Sequence, residues 1–292
     1  MKQNLFYLHA VSALHCGNGQ SAGVIDLPIA RERATNLPLV PGSSLRGVLR
    51  EEFASKGGED DRKLEKSLFG PRSGSDEAHA GALAIGDAHL LLLPIRALAG
   101  IVAYATCPFI LRNFSKDAGY PKLAGSDVAI PVPKDTEAIH TKSSVNRLLD
   151  KIVLEDLDLV ARQESGADSW ADAIAKSVFP DDTDAQTDLV QRFLILPDSV
   201  FVFLSETATE VRARIAIDEK TGTVKKGALW YEENLPAESV LWGIYALSDA
   251  RVKDGLKADD LAAKIPASLL LQLGGKAGIG RGLTRFINGG KR

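Results

Sequence analysis

Only two cysteines, Cys16 and Cys107, occur in 292 residues, far apart and without CxxC spacing, which excludes a disulfide framework. His9 and His15 stand six residues apart and make no recognisable zinc set, and no Ser/His/Asp nucleophile motif is present. Long apolar runs are missing too. Leu90 to Pro94, the longest in the first half, falls far short of the roughly 20 residues a membrane helix needs. The opening MKQNLFYLHA is neither long nor apolar enough for a signal peptide, so the expectation is a reduced, cytoplasmic chain with no membrane partner. A large charge excess is equally absent. At −3, the chain lacks the basicity of a free-standing nucleic-acid binder, so any grip on a polyanion comes from local patches or from an assembly that multiplies weak contacts. No internal repeat, low-complexity tract or long flexible linker is found.

What is present is an ordinary globular composition, 45% hydrophobic and 25% charged, enough for one sizeable core with an inserted subdomain or for two modest ones. Residues 4–14 read as a first strand, and a helix capped by Ser44 runs to about Ser55, with Leu45, Val48, Leu49 and Phe53 on one face and Gly57-Gly58 as its stop. Residues 81–107 read as two strands around a Pro94-containing turn, which suggests a ferredoxin-like start. From 115 to 195 the pattern changes to a loop with Pro121, Pro131 and Pro133 and weakly amphipathic helices near 142–157, 168–178 and 185–193, so this stretch is expected to be an insertion. Strand signals return at 199–205, 210–218 and 224–232, the last two joined through the hairpin turn Glu219-Lys220-Thr221-Gly222. A strand at 239–248, a helix at about 256–273 and glycine-rich Gly274 to Gly282 complete the reading.

Chemistry concentrates in four places. The run LHCGNGQSAGVIDLPIARERATNLPLVPGSSLRGVLR, Leu14 to Arg50, joins a strand end, a loop with Gly17, Gly19 and Gly23, and a helix opening at Pro41-Gly42-Ser43-Ser44. Arg46 and Arg50, one turn apart beside that helix N-terminus, are placed to hold successive phosphates; the plainer reading is a solvated face paired with Glu51 and Glu52. The loop GGKAGIGRG (274–282) fails the Walker A pattern, because Ala277 follows Lys276, and fails the dinucleotide fingerprint, because no βαβ unit follows. What remains is a glycine-rich turn into a last strand, or N–H groups of Gly275, Gly278 and Gly280 cradling a phosphate backbone between Lys276 and Arg281. In VRARIAID (211–218), Val211, Ala213, Ile215 and Ile217 alternate with Arg212 and Arg214, and Lys225 and Lys226 return on the partner strand. That is a half-buried amphipathic hairpin, or a projecting one. Asp26, before Leu27-Pro28, either begins a turn or supplies a carboxylate for acid–base or metal chemistry, with His15 as a helper and Glu232 and Glu233 as further acids.

These motifs together resemble the RAMP superfamily of CRISPR proteins, and Ile25-Asp26-Leu27-Pro28-Ile29 followed by Pro-Gly-Ser-Ser-Leu-Arg-Gly is similar to the backbone (fourth) subunit of the type III-B Cmr complex. The resemblance implies a modified ferredoxin-like (RRM-like) α+β core, an inserted helical subdomain (115–195) and a β-hairpin thumb (205–233) that wedges into a guide–target duplex. Ala228, Leu229, Trp230 and Tyr231 would offer the wedge its apolar bulk. It implies Asp26 as the target-RNA cleavage residue and possible ligand of a divalent metal (Mg2+ or Mn2+), with His15 assisting. Ser43, Ser44, Arg46, Arg50, Arg212, Arg214, Lys225, Lys226, Gly275, Lys276, Gly278, Gly280 and Arg281 are the implied RNA contacts. The implied partners are guide crRNA, target RNA, copies of the chain and other Cmr subunits. Departures are small: Ala13 stands where Pro is common, Asn36 where Gly is frequent, Arg46 where Lys is frequent, and Cys16 sits in the loop. Rival readings are a type III-A backbone subunit, a non-catalytic RNA scaffold and an independent CRISPR-repeat-processing endonuclease.

Overall fold

The computed structural model describes residues 1–17, 19, 25–55, 57–72, 74, 78–118, 128–252 and 255–291; Gly23 and Pro121 of the sequence reading lie outside them. The chain opens with β1 (Lys2–Ala10), β2 (Leu39–Val40), α1 (Gly42–Ser55), α2 (Glu59–Phe69), β3 (Leu83–Ala97), β4 (Ile101–Thr106) and α3 (Pro108–Ala118). The middle holds β5 (Glu137–His140), β6 (Arg147–Leu148), β7 (Lys151–Leu154), β8 (Leu157–Gln163), α4 (Ser165–Val178), α5 (Thr183–Arg192), β9 (Phe193–Ile195) and α6 (Asp198–Thr207). Then come β10 (Glu210–Ile217), β11 (Val224–Asn234), β12 (Val240–Leu247), α7 (Ala258–Lys264), β13 (Ser268–Gln272) and β14 (Leu283–Lys291). Among the described residues no helix is long and apolar enough to cross a membrane.

A mixed twelve-stranded sheet runs β13-β14-β1-β12-β3-β4-β9-β5-β8-β7-β6, with β2 beside β3, while β10 and β11 pair only with each other. β1 lies antiparallel between β12 and β14, and its residues Asn4 to Ala10 are all buried, the continuous burial of a strand covered on both faces. Alternation sends Phe6 to one face, where it stacks on Phe286, and Tyr7 to the other, against Phe114. Phe114 in turn meets Trp170 of α4 and Trp242 of β12. Residues 115–195 contribute β5 to β9, which extend this same sheet through the parallel pair β4–β9.

Several local expectations are corrected. The first strand ends at Ala10, and Leu14 then bridges singly to Leu235. Ser44 is not the cap of α1: the helix opens at Gly42, whose N–H is taken by the Asp87 carboxylate at 2.7 Å, a partner 45 residues away that no local pattern shows. Pro94 makes no turn but stands inside β3 opposite Tyr104, just beyond the last β12 partner, Leu92, so its missing N–H breaks no ladder bond to β12. α3 went unread. Residues 142–157 form no helix but a turn followed by β6, β7 and the start of β8, because Leu149 and Glu155 take left-handed φ values of 56° and 48° and turn the chain at β6–β7 and β7–β8. The β-branched and aromatic run 199–205 is helix α6, burying Phe201, Leu204 and Ser205 at helical spacing. The helix expected over 256–273 ends at Lys264, since Pro266 disfavours helix in the residue before it, and Ser268–Gln272 pairs with β14.

Gly42 sets how closely α1 lies on the sheet, because a Cβ there would come within 2.6 Å of the Gly86 carbonyl oxygen. Gly42→Ala is expected to lower stability by about 1–3 kcal/mol, read as a shifted urea midpoint at unchanged m-value; an unshifted midpoint would show that α1 is free to slide.

Candidate active site

β11 is exposed along the hairpin and becomes buried at Glu232, Glu233 and Asn234, where it enters the body of the protein. Residues 25–31 lie beside this end as a short parallel ladder. Leu27 N–H donates to the Tyr231 carbonyl at 3.1 Å, and Glu233 N–H donates to the Leu27 carbonyl at 3.0 Å. Pro28 has no N–H to give. The Asp26 side chain is exposed, and its Oδ2 accepts the Tyr231 N–H at 2.8 Å; among the described residues no other bond holds it. One backbone bond thus fixes the carboxylate at the root of the hairpin.

His15 is buried two strand positions away. Its Nδ1 lies 2.7 Å from the Glu233 carbonyl, and because a carbonyl only accepts, Nδ1 carries the proton and Nε2, turned toward Gly17, is left to accept or take one. The glycine-rich loop packs on the same residue. Gly275 N–H donates to the His15 carbonyl at 2.9 Å, and Gly274, at φ 72°, lies so close that a Cβ would meet that oxygen at 2.2 Å. Asp26, His15 and the loop 274–282, far apart in sequence, all converge on Tyr231 to Glu233 near the end of β11.

The basic residues expected to bind RNA divide into two groups. Lys276 and Arg214 reach the buried Glu232 at 3.1 and 3.5 Å, where Trp230 Nε1 also donates at 2.8 Å. Arg212 pairs with Glu210 at 2.9 Å, and Arg281, mostly buried, lies 4.0 Å from the same carboxylate. Arg46 donates to the Phe69 carbonyl at 2.6 Å, and Arg50 to Glu65 at 2.6 Å and the Gly70 carbonyl at 2.7 Å, so both anchor α1 to the end of α2. Ser43, Ser44, Lys225, Lys226, Gly278 and Gly280 are exposed. On the hairpin, Ala213 opposes Tyr231 and Ile215 opposes Leu229, so the apolar residues share one exposed face, whereas Trp230 opposes Arg214 on the other. The sequence reading passed over Arg31 as a site residue; its guanidinium binds Glu233 at 2.5 Å, the Ser205 carbonyl at 3.1 Å and the Asn36 carbonyl at 2.9 Å. No short-range signal marks it, since Arg31 and Glu233 are 202 residues apart.

Among the described residues no three His, Cys, Asp or Glu side chains gather as a cation site. Glu232 and Glu233 are already committed to Lys276 and Arg31. Among these, Asp26 would be the one carboxylate left to hold a divalent ion, the rest of whose ligands would have to come from water or a bound substrate.

Residues 7–285 match the profile of the RAMP superfamily. The chain belongs to the RAMP superfamily. Within it, the chain is 33% identical over 289 residues, 98% of this chain and 95% of the relative, to a Pyrococcus furiosus protein named CRISPR system Cmr endoribonuclease Cmr4. It is 24% identical, over 97% of this chain and 96% of the relative, to the CRISPR system CMR subunit Cmr4 of Saccharolobus solfataricus. Among solved structures, oligomeric Cmr4 from Pyrococcus furiosus superposes with a TM-score of 0.71 at 26% identity, covering 99% of this chain and 100% of that one. A chain of the type III-B Cmr-beta complex bound to cognate target RNA gives a TM-score of 0.73 at 20% identity, over 99% and 98%, a likeness of fold. The mixed α/β architecture described above is therefore the RAMP fold.

Burial would raise the Glu232 carboxyl, but bonds from Trp230 and Lys276 and the charges of Lys276 and Arg214 outweigh it and hold the group below its ordinary 4.5. A carboxylate depressed by folding stabilises the fold above its ordinary range and loses that contribution as pH falls through the folded value. In urea titrations between about pH 7 and about pH 3, Glu232→Gln should be less stable than wild type at the neutral end, with the gap closing at the acid end. A gap that stays constant with pH would mean that folding does not shift the Glu232 carboxyl.

Proposed function

We propose that this chain is the repeated backbone subunit of an RNA-guided type III-B CRISPR effector complex, holding guide RNA and cutting complementary target RNA at regular intervals through Asp26. The observation that carries the reading is the exposed Asp26 carboxylate bonded to Tyr231 N–H at the root of a projecting hairpin, in a chain 33% identical to a named Cmr endoribonuclease. The net charge of −3 and the internal pairing of many arginines and lysines make a single copy a weak RNA ligand, which suits a subunit that gains affinity by repetition along the strand. The sheet with α1 to α3 serves as the modified ferredoxin-like core, residues 115–195 as the inserted subdomain and residues 205–233 as the thumb. Partner recognition runs through base pairing with the guide and not through side chains reading bases. The complex works in the cytoplasm.

RNA cleaves when its 2′-OH loses a proton and lies in line with the adjacent phosphorus. The exposed apolar face of the hairpin, Val211, Ile215, Ile217, Leu229 and Tyr231, offsets the few kcal/mol needed to unstack a base step. A nucleotide splayed there lies beside Asp26, whose carboxylate takes the 2′-OH proton. His15 acts as the imidazolium, its Nδ1–H kept on the Glu233 carbonyl, and gives the Nε2 proton taken up from solvent to the leaving 5′-oxygen. Lys225, Lys226 and the exposed glycine N–H groups hold flanking phosphates. When present, Mg2+ or Mn2+ held by Asp26 and RNA phosphate supplies charge neutralisation.

Asp26→Ala in the reconstituted complex is expected to abolish target cleavage while leaving assembly and target binding intact. Wild-type products should carry 2′,3′-cyclic phosphate and 5′-hydroxyl ends, and a single 2′-deoxy substitution should silence one cut. Regularly spaced, full cleavage by the Asp26→Ala complex would assign the chemistry to another subunit and leave this chain a scaffold.

A further inference from the structure

The parallel ladder that carries Asp26 should continue with Ile29 N–H donating to the Glu233 carbonyl, following the bonds at Leu27 and Glu233. It does not. That carbonyl is occupied by His15 Nδ1 at 2.7 Å, and Ile29 N–H donates instead to the Glu233 side chain, Oε2, at 3.1 Å. The other oxygen, Oε1, holds Arg31 at 2.5 Å, and the Glu233 side chain is 3% exposed against 16% for Arg31. Arg31 spends its remaining donors on the carbonyls of Asn36 and Ser205, which ties the far end of the 25–31 segment to the following loop and to α6. One residue therefore grips the segment with its side chain, orients His15 with its backbone, and follows Tyr231, the anchor of Asp26, by two positions.

We infer that Glu233 is a positioning residue for target cleavage, its carboxylate standing in for a backbone carbonyl so that Asp26 and His15 are held on one strand end. The inference rests on the assignment of cleavage to Asp26. Loss of the side-chain grip leaves Ile29 N–H without its acceptor and Arg31 without its carboxylate, loosens the segment that carries Asp26 and spoils its aim, whereas guide and target binding, which use other surfaces, persist. A misplacement of about 1 Å at a reacting group can cost on the order of 100-fold in rate.

The test uses the fully assembled complex with guide RNA, measuring target affinity, melting temperature and single-turnover cleavage at saturating target. The variants are Asp26→Ala, Glu233→Gln and the double change Arg31→Met with Glu233→Met, which removes both charges of the buried pair so that neither is left unpaired. Glu233→Gln and the double variant should both cleave about 10- to 100-fold more slowly with target affinity within about two-fold of wild type. The double variant, in which Ile29 N–H loses its acceptor, should melt at or somewhat below wild type yet assemble and bind target normally while remaining slow, a loss confined to cleavage that a purely structural role does not produce. Recovery of wild-type cleavage in the double variant would overturn the positioning role. So would wild-type cleavage by Glu233→Gln beside an inactive Asp26→Ala complex. Full cleavage by Asp26→Ala would overturn the underlying assignment instead, and the positioning role with it. Should Glu233→Gln fail to assemble, the double variant decides alone.

Discussion

The three-residue end of β11, Tyr231 to Glu233, is the constraint on which the rest of the site depends. Here the backbone N–H of Tyr231 holds Asp26, the backbone carbonyl of Glu233 holds His15, and the two intervening and terminal carboxylates gather Lys276, Arg214 and Arg31. A strand is suited to this because successive residues face opposite ways. Glu232 looks toward the glycine-rich loop and Glu233 toward the segment 25–31, while the edge of the strand remains available for hydrogen bonds. The hairpin beyond is exposed and carries its own apolar face, so in the proposed mechanism its root is the point at which contact with a nucleic acid would be passed to Asp26 and His15.

Charge follows the same division. Many of the cations near the site are not idle surface groups: Lys276, Arg214, Arg212, Arg46, Arg50 and Arg31 all have protein partners. Buried carboxylates such as Glu232 and Glu233 would be costly alone, and each has a cation beside it, Lys276 and Arg214 for the first and Arg31 for the second. Exposed positive groups remain along the hairpin, at Lys220, Lys225 and Lys226, and at Arg33 beyond the 25–31 segment. Much of the positive charge near the site is thus spent on the protein's own carboxylates and carbonyls.

Legibility in the sequence tracked the range of the interactions. Strand β1, the hairpin turn and helices α4 and α5 were readable because their patterns are local and their turn residues explicit. Residues 199–205 and 256–273 misled, since β-branched composition and apolar spacing were overruled by burial of Phe201 and Leu204 and by Pro266. Asp26 and His15 could be named from their motif, yet what fixes them could not, because Tyr231 and Glu233 lie 205 and 218 residues further on. Arg46 and Arg50 show the converse. Their spacing beside a helix N-terminus suited phosphate, while the fold also uses both to clamp α2.

The most direct measurement is a structure of the assembled complex bound to a target RNA blocked by 2′-deoxy substitution at a cut site. The account predicts a nucleotide splayed out at the hairpin root, with its 2′ position within about 3 Å of the Asp26 carboxylate, or one water away, in each copy. A scissile phosphate lying on the far side of the hairpin, with Asp26 still bonded to Tyr231 and facing empty solvent, would contradict it.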